Sequence, residues 1–165
     1  MKPADSKPMV VPVLILDEEE AIDDLSVKIY GLHQKLASSY VLYSPGVSDE
    51  ERRDTCGRIQ SVLSVTFCTY FGQSPADRFI DLFDQATYLA EHLAKDHLFQ
   101  DGNKRTALTA SFAILRSAGI YIEFVDTDDP ETNLYYSWIQ DIVSGIRTSE
   151  MLSEELRQSV TIGCH

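Results

Sequence analysis

The stretch His97-Leu98-Phe99-Gln100-Asp101-Gly102-Asn103-Lys104-Arg105 decides how this chain is read. A loop runs into Gly102. The spacing beyond it predicts a helix that starts at Gly102 or Asn103 and runs to about Ser117, with Gly119 as its breaker. The first turn of a helix offers N–H groups without intrahelical partners and the positive end of the helix dipole, which together attract an anion. Gly102 has no side chain, so a phosphate can approach its backbone closely. Lys104 and Arg105 add cationic donors, the arginine suited to forked contacts. Asp101 is an oxygen ligand of the kind a phosphate-bound Mg2+ uses. His97 is a titratable base just ahead of them, and Phe99 is an apolar anchor for the loop. Taken singly, His97 reads equally as a loop or core histidine, Asp101 as a helix cap, and Asn103 to Arg105 as an exposed first turn. Taken together they also fit a phosphate site. Two cations in a first turn oppose the helix dipole, and a bound anion would remove that cost.

Working outward, Ser74 reads as a cap and Pro75 as the first residue of a helix, along which Phe79, Leu82, Phe83, Ala86, Leu89, Ala90 and Leu93 recur at steps of three and four. Ser48-Asp49-Glu50-Glu51 is a capping box. It opens a helix expected to bury Ile59, Val62, Leu63, Phe67, Tyr70 and Phe71 and to end at Gly72, although its β-branched and aromatic second half has divided propensity. An earlier helix is expected from Asp17 as cap, with Glu18, Glu19 and Glu20 suiting the dipole and Ile22, Leu25, Ile29, Leu32 and Leu36 facing inward. Ser39 to Val47, with Pro45-Gly46, reads as a loop. Downstream, Ala107, Leu108, Ser111, Phe112 and Leu115 suit a tightly packed central helix. Ile120, Ile122 and Phe124 alternate as a short extended piece. Further helices are expected from Pro130 to Ser144, stopped by Gly145, and from Ser149 or Ser153 to Gln158. The fold class is therefore mainly α: a single-domain helical bundle with little or no sheet. Residues 1–12 are expected to form a loose N-terminal tail and residues 13–165 the domain.

The chain's 165 residues and 44% apolar content suit one domain with one core. Its net charge of −12 repels a phosphate backbone and argues against nucleic-acid binding; a solvated acidic surface and a basic protein partner fit it equally. No apolar run approaches the roughly 20 residues of a membrane span, and the apolar run Val10–Ile15 meets acidic residues with no cleavage site between. Three cysteines, Cys56, Cys68 and Cys164, are an odd count without regular spacing, which fits a reducing, cytoplasmic setting. Cys56 and Cys68 read as packed thiols. His92 and His97 stand five apart, not at the four-residue spacing of a helical zinc site, and there is no P-loop and no G-x-S-x-G.

The opening stretch resembles the signature of the Fic/Doc family, H-x-F-x-D/E-G-N-G/K-R, with His97, Phe99, Asp101, Gly102, Asn103 and Arg105 in place. Lys104 stands where typical adenylyltransferases of the family have glycine, and Leu108 where they have a second arginine. Both departures look like the Doc (death-on-curing) branch, whose N-K-R-T-A is matched by Asn103-Lys104-Arg105-Thr106-Ala107. Gly57-Arg58-Ile59-Gln60, Asp81-Leu82-Phe83 and Leu115 to Ile120 are also similar to Doc; the likeness covers roughly Leu14 to Leu156 and is weakest before Ser48. The resemblance implies that His97 takes a proton from a target hydroxyl and that Asp101 holds Mg2+ on the phosphates of ATP. It implies that Gly102, Asn103, Lys104 and Arg105 bind those phosphates and that Phe99 is structural. It further implies a toxin of a toxin–antitoxin pair that transfers the terminal phosphoryl group to a protein, elongation factor Tu being the target known for the branch. An antitoxin protein would then restrain it. The inhibitory S/T-x-x-x-E-G/N pattern of many Fic proteins has no good copy; Thr127 to Thr132 has the Thr–Glu spacing but contains Pro130 and reads as a turn. Three activities stay open: this kinase, a Fic-type adenylyltransferase (AMPylation) with the same base, and a non-catalytic helical binding module.

Overall fold

The computed structural model describes residues 11–37, 48–99, 101–123, 129 and 131–160. The described residues form α1 (Glu19–Ala37), α2 (Asp49–Phe67), α3 (Pro75–Arg78), α4 (Leu82–Lys95), α5 (Asn103–Ser117), α6 (Leu134–Val143) and α7 (Ser149–Ser159). The protein is mainly α, and among the described residues the sole β feature is an isolated bridge between Tyr70 and Gln73. No helix among them is long and apolar enough to cross a membrane.

α4 lies at the centre, packed on α5, α7, α2 and α6, while α1 rests on α2 and α5. The reason is its apolar face: Leu82, Phe83, Ala86, Leu89, Ala90 and Leu93 are all buried. α5 answers with Ala107, Leu108, Phe112 and Leu115, and small Ala107 and Ala110 let the two helices approach. Each large side chain so enclosed contributes about 1.5–3 kcal/mol.

Several expected boundaries moved, each for a local reason. The run after Ser74 is not one helix: Phe79 is extended, and Asp81 caps a fresh start by accepting the Asp84 N–H at 3.0 Å. Asp81 and Asp84 are both gripped by Arg157 of α7, which favours the break. α2 stops at Phe67 rather than Gly72. Its last carbonyls are taken up from outside, with the Arg78 guanidinium donating to Val65 and Cys68 (2.9 and 2.7 Å) and the Leu16 N–H donating to Phe67 (2.8 Å). Tyr70 and Phe71 therefore lie in the following turn, Phe71 97% exposed, and not in the core. Asp17 does not cap α1; its carboxylate accepts the Thr69 N–H and hydroxyl at 2.6 and 3.0 Å. α6 begins at Leu134, capped by Asn133, and not at Pro130. The segment Ile120–Ile122 carries no strand, and Phe124 lies outside the described residues, as do the expected loop 39–47, Cys164, and Thr127, Asp128 and Pro130 of the stretch Thr127–Thr132.

The described part of the N-terminal apolar run, from Val11 on, is non-helical chain that packs on α4. Val11 is buried and its carbonyl accepts the Leu82 N–H. The fully buried Gln85 amide acts as a pairing partner: its oxygen accepts the Leu14 N–H at 2.7 Å, and its NH2 donates to the carbonyls of Leu14 (2.7 Å) and Thr66 (3.0 Å).

Candidate active site

The stretch His97–Arg105 joins α4 to α5, the two helices that share the core, so both ends of the loop are held by the best-packed part of the molecule. Leu98 is buried beneath it. His97 is exposed and adopts φ +48°, a left-handed conformation that turns the chain sharply out of α4. That turn is stabilised from α2: the Arg58 guanidinium donates to the carbonyls of Asp96 and His97 at 2.5 and 3.3 Å, satisfying the end of α4.

Asn103 closes the loop. Its side-chain oxygen accepts the Phe99 N–H at 3.0 Å and its NH2 donates to the Phe99 carbonyl at 2.8 Å. One amide thus pairs a whole peptide position, as a strand neighbour would. Its side chain is committed to Phe99, and its backbone N–H opens α5. Gly102 caps that helix at φ +78°, a left-handed conformation that glycine adopts without strain. Its own N–H donates to Asp101 Oδ1 at 2.7 Å, which leaves Asp101 Oδ2 without a described partner. No side chain caps α5, and no acidic residue stands in its first turn, which instead carries Lys104 and Arg105 half-buried. In a chain of net charge −12, the start of α5 is a local positive pole. Asp101, Gly102, Asn103, Lys104 and Arg105 are thereby brought to one helix start, with His97 at the far end of the same loop.

Among the described residues no three His, Cys, Asp or Glu side chains converge to cage a metal. The exposed Asp101 carboxylate beside an anion-attracting helix start is a different donor set. It suits Mg2+, which keeps most of its waters and binds through one or two carboxylates plus substrate phosphates.

Two residues escaped the sequence reading. Arg58 fell in a stretch noted only for likeness. His33 of α1 is 2% exposed; its ring stacks on Phe99 with centroids 3.6 Å apart and planes 2° from parallel, and its Nε2–H donates to the Asp101 carbonyl at 2.7 Å. Burial is the largest influence on its pKa and lowers it, against the upward pull of the Asp101 carbonyl bond and the Asp101 charge. Its place on the inward face, four residues after Ile29, was the available signal. A cavity of about 420 Å³ lined by Val65, Arg78, Phe79, Tyr88 and Glu150 among others contains none of the motif residues. Cys56 and Cys68 are free thiols whose pKa values burial pushes up, and the Cys68 S–H donates to the Leu16 carbonyl.

The chain that builds this loop between two core helices, closing on a basic helix start with no side-chain cap, matches the Fic/DOC family model over residues 24–115, more than half of its length, and belongs to that family. Within it the chain stands in the Doc branch. It is similar to protein kinase doc of Escherichia phage P1, with 33% identity over 109 residues, 65% of this chain and 68% of the relative.

Proposed function

We propose that the chain is a Doc-type protein kinase that moves the terminal phosphoryl group of ATP onto a hydroxyl side chain of another protein. The observation that carries this reading is Leu108. Typical adenylyltransferases of the family have a second arginine here, whereas Leu108 is 1% exposed in the α4–α5 core and offers the phosphates nothing. Lys104, in the first turn of α5, supplies a cation where those enzymes have glycine. A changed set of phosphate contacts changes which phosphorus stands in line with the hydroxyl.

The start of α5 binds the phosphate chain through the open N–H groups of Asn103 and Lys104 and the side chains of Lys104 and Arg105. Asp101 is the residue that would hold Mg2+, which when bound neutralises phosphate charge. His97, exposed at the loop's other end, accepts the proton of the target hydroxyl as its oxygen attacks the γ-phosphorus. A new O–P bond forms, the bond to the β–γ bridging oxygen breaks, and ADP leaves with that electron pair. The protein substrate is a hydroxyl-bearing target, elongation factor Tu being the first candidate. An antitoxin protein covering the exposed loop would restrain the reaction. The setting is the cytoplasm, where Mg2+ and ATP are abundant.

The test is transfer from ATP labelled at either the α or the γ phosphorus, with Mg2+ and elongation factor Tu. Label from the γ position should reach the target, and His97→Asn should abolish it; asparagine tolerates the left-handed backbone at residue 97, so its loss reports chemistry and not folding. Transfer of α label would replace the kinase with an adenylyltransferase. Transfer of neither, to this target or to a full host lysate, would leave a binding module.

A further inference from the structure

The loop that carries Asp101 and Gly102 is not held by its own chain neighbours alone. A histidine 68 residues earlier in sequence reaches it from α1. We propose that His33 is a positioning residue, which holds Asp101 and Gly102 in register with the first turn of α5 by stacking on Phe99 and hydrogen-bonding the Asp101 carbonyl. The proposal deepens the kinase reading and rests on it for its functional consequence.

The geometry is specific in both contacts. A carbonyl oxygen only accepts, so Nε2 carries the proton in the 2.7 Å contact to Asp101. The parallel stack at 3.6 Å fixes the ring plane, and so fixes the direction in which that N–H points. Tyr30, one turn earlier on α1, stands 6.1 Å from Phe99 and tilted by 49°, so Phe99 meets two α1 rings. Gly102 completes the fit: a Cβ there would meet His33 Nε2 at 3.5 Å and Cδ2 at 3.6 Å, ordinary contact, so the ring lies against the turn itself. The turn is thus held at consecutive points: Phe99 by the stack and by Asn103, the Asp101 carbonyl by His33, and the Asp101 carboxylate by the Gly102 N–H. Asp101 is exposed, and its side-chain oxygen can sit in one place only if its backbone does. A plain packing residue at position 33 would supply the stack and not the bond. The bond is what sets the peptide plane between Asp101 and Gly102, hence where the carboxylate and the helix start lie relative to one another.

Two variants separate the contacts. His33→Phe keeps a ring on Phe99 and removes the donor. His33→Gln loses the ring and keeps an amide N–H at a similar reach. In the intact chain, hydrogen–deuterium exchange of the peptide spanning 97–103 reports loop order without reference to activity. Expected for His33→Phe is faster exchange in that peptide by about two- to tenfold, the worth of one net hydrogen bond, with the amides of α4 and α5 unchanged. Transfer should then show a lower kcat and a higher half-saturating Mg2+ concentration, both partly recovered in His33→Gln. Loop exchange equal to wild type in a folded His33→Phe protein overturns the proposal. If that variant does not fold, the wild-type protein decides: an imidazole Nε2–H proton protected from exchange in its nitrogen-resolved NMR spectrum is required, and an Nδ1–H tautomer overturns it. Absence of phosphoryl transfer by the wild type would remove the kinase reading, while the exchange and NMR results would still decide the place of His33 in the loop.

Discussion

Lys104 offers a test in which folding and function should move in opposite directions. It occupies the second helical position of α5, beyond a glycine cap, with no acidic residue in the first turn and Arg105 beside it. A cation there opposes the helix dipole by about 0.3–1 kcal/mol, and a carboxylate in the same place gains a similar amount. Lys104→Glu should therefore stabilise the free protein by about 1 kcal/mol, raising Tm by about 3 °C for a chain of this size. The gain should fade in 1 M salt, where the Debye length falls to about 3 Å. The same change places negative charge in the phosphate cradle. Wild-type protein with Mg2+ and ATP at about 100 times Kd should gain about 2.7 kcal/mol, close to 8 °C in Tm, and the variant should gain almost nothing. Thermal unfolding followed by circular dichroism, with and without Mg2+ and ATP and at two salt concentrations, reads all of this. A lower Tm for the variant in low salt would refute the dipole reasoning. An undiminished ATP-induced shift would refute the assignment of the phosphates to the start of α5.

Asp101→Ala should raise the half-saturating Mg2+ concentration for transfer by about tenfold or more, the loss of one charge-assisted contact, and a metal titration of the transfer rate checks it. Asn103→Ala removes both hydrogen bonds to Phe99 and should cost about 1–3 kcal/mol; if the loop must be closed for catalysis, kcat/KM for ATP should fall by more than the melting temperature alone accounts for. Arg157→Leu leaves the Asp81 and Asp84 carboxylates, 6% and 16% exposed, without their counter-ion, and should destabilise by about 3 kcal/mol at neutral pH. Burial pushes the Asp84 carboxyl up, but hydrogen bonds from Ser153, the Ile80 N–H and Arg157 outweigh it and hold the group below the ordinary carboxylate range. A depressed folded-state pKa gives stability that is present above the unfolded value and lost as pH falls through the folded one. Wild type should therefore lose this contribution below about pH 4, while Arg157→Leu should be least stable, relative to wild type, at neutral pH. Urea unfolding of both proteins from pH 3 to 7 would show it, and a pH-independent gap would count against the ion-pair account.

The candidate-site loop was largely legible in sequence because its information is local. Gly102 or Asn103 reads as a helix start, Asn103 to Arg105 as a first turn, and the apolar run behind them as a packed helix, and each of these depends on neighbours within a few positions. The helix starts at Ser48 and Ser74 were legible for the same reason, since the Ser48 hydroxyl accepts the Glu51 N–H and the Asp77 carboxylate accepts the Ser74 N–H, each from three residues away. Where sequence reading missed, a distant group had intervened. Asp81 looked like a position within a helix and became a cap under the pull of Arg157, 76 residues on. Tyr70 and Phe71 continued an apolar period and were expelled because Leu16 and Arg78 took the last carbonyls of α2.

By itself the sequence determined the fold class, the family and the chemical groups at the candidate site, since periodicity, capping and a nine-residue signature are written in adjacent residues. Tertiary structure alone decided what holds that site still. Arg58 on the carbonyls that end α4, and His33 on Phe99 and the Asp101 carbonyl, are contacts across 38 and 68 residues of chain. Their donors meet those carbonyls only because α1 and α2 pack against the bundle, a consequence of summed apolar burial that no local pattern encodes.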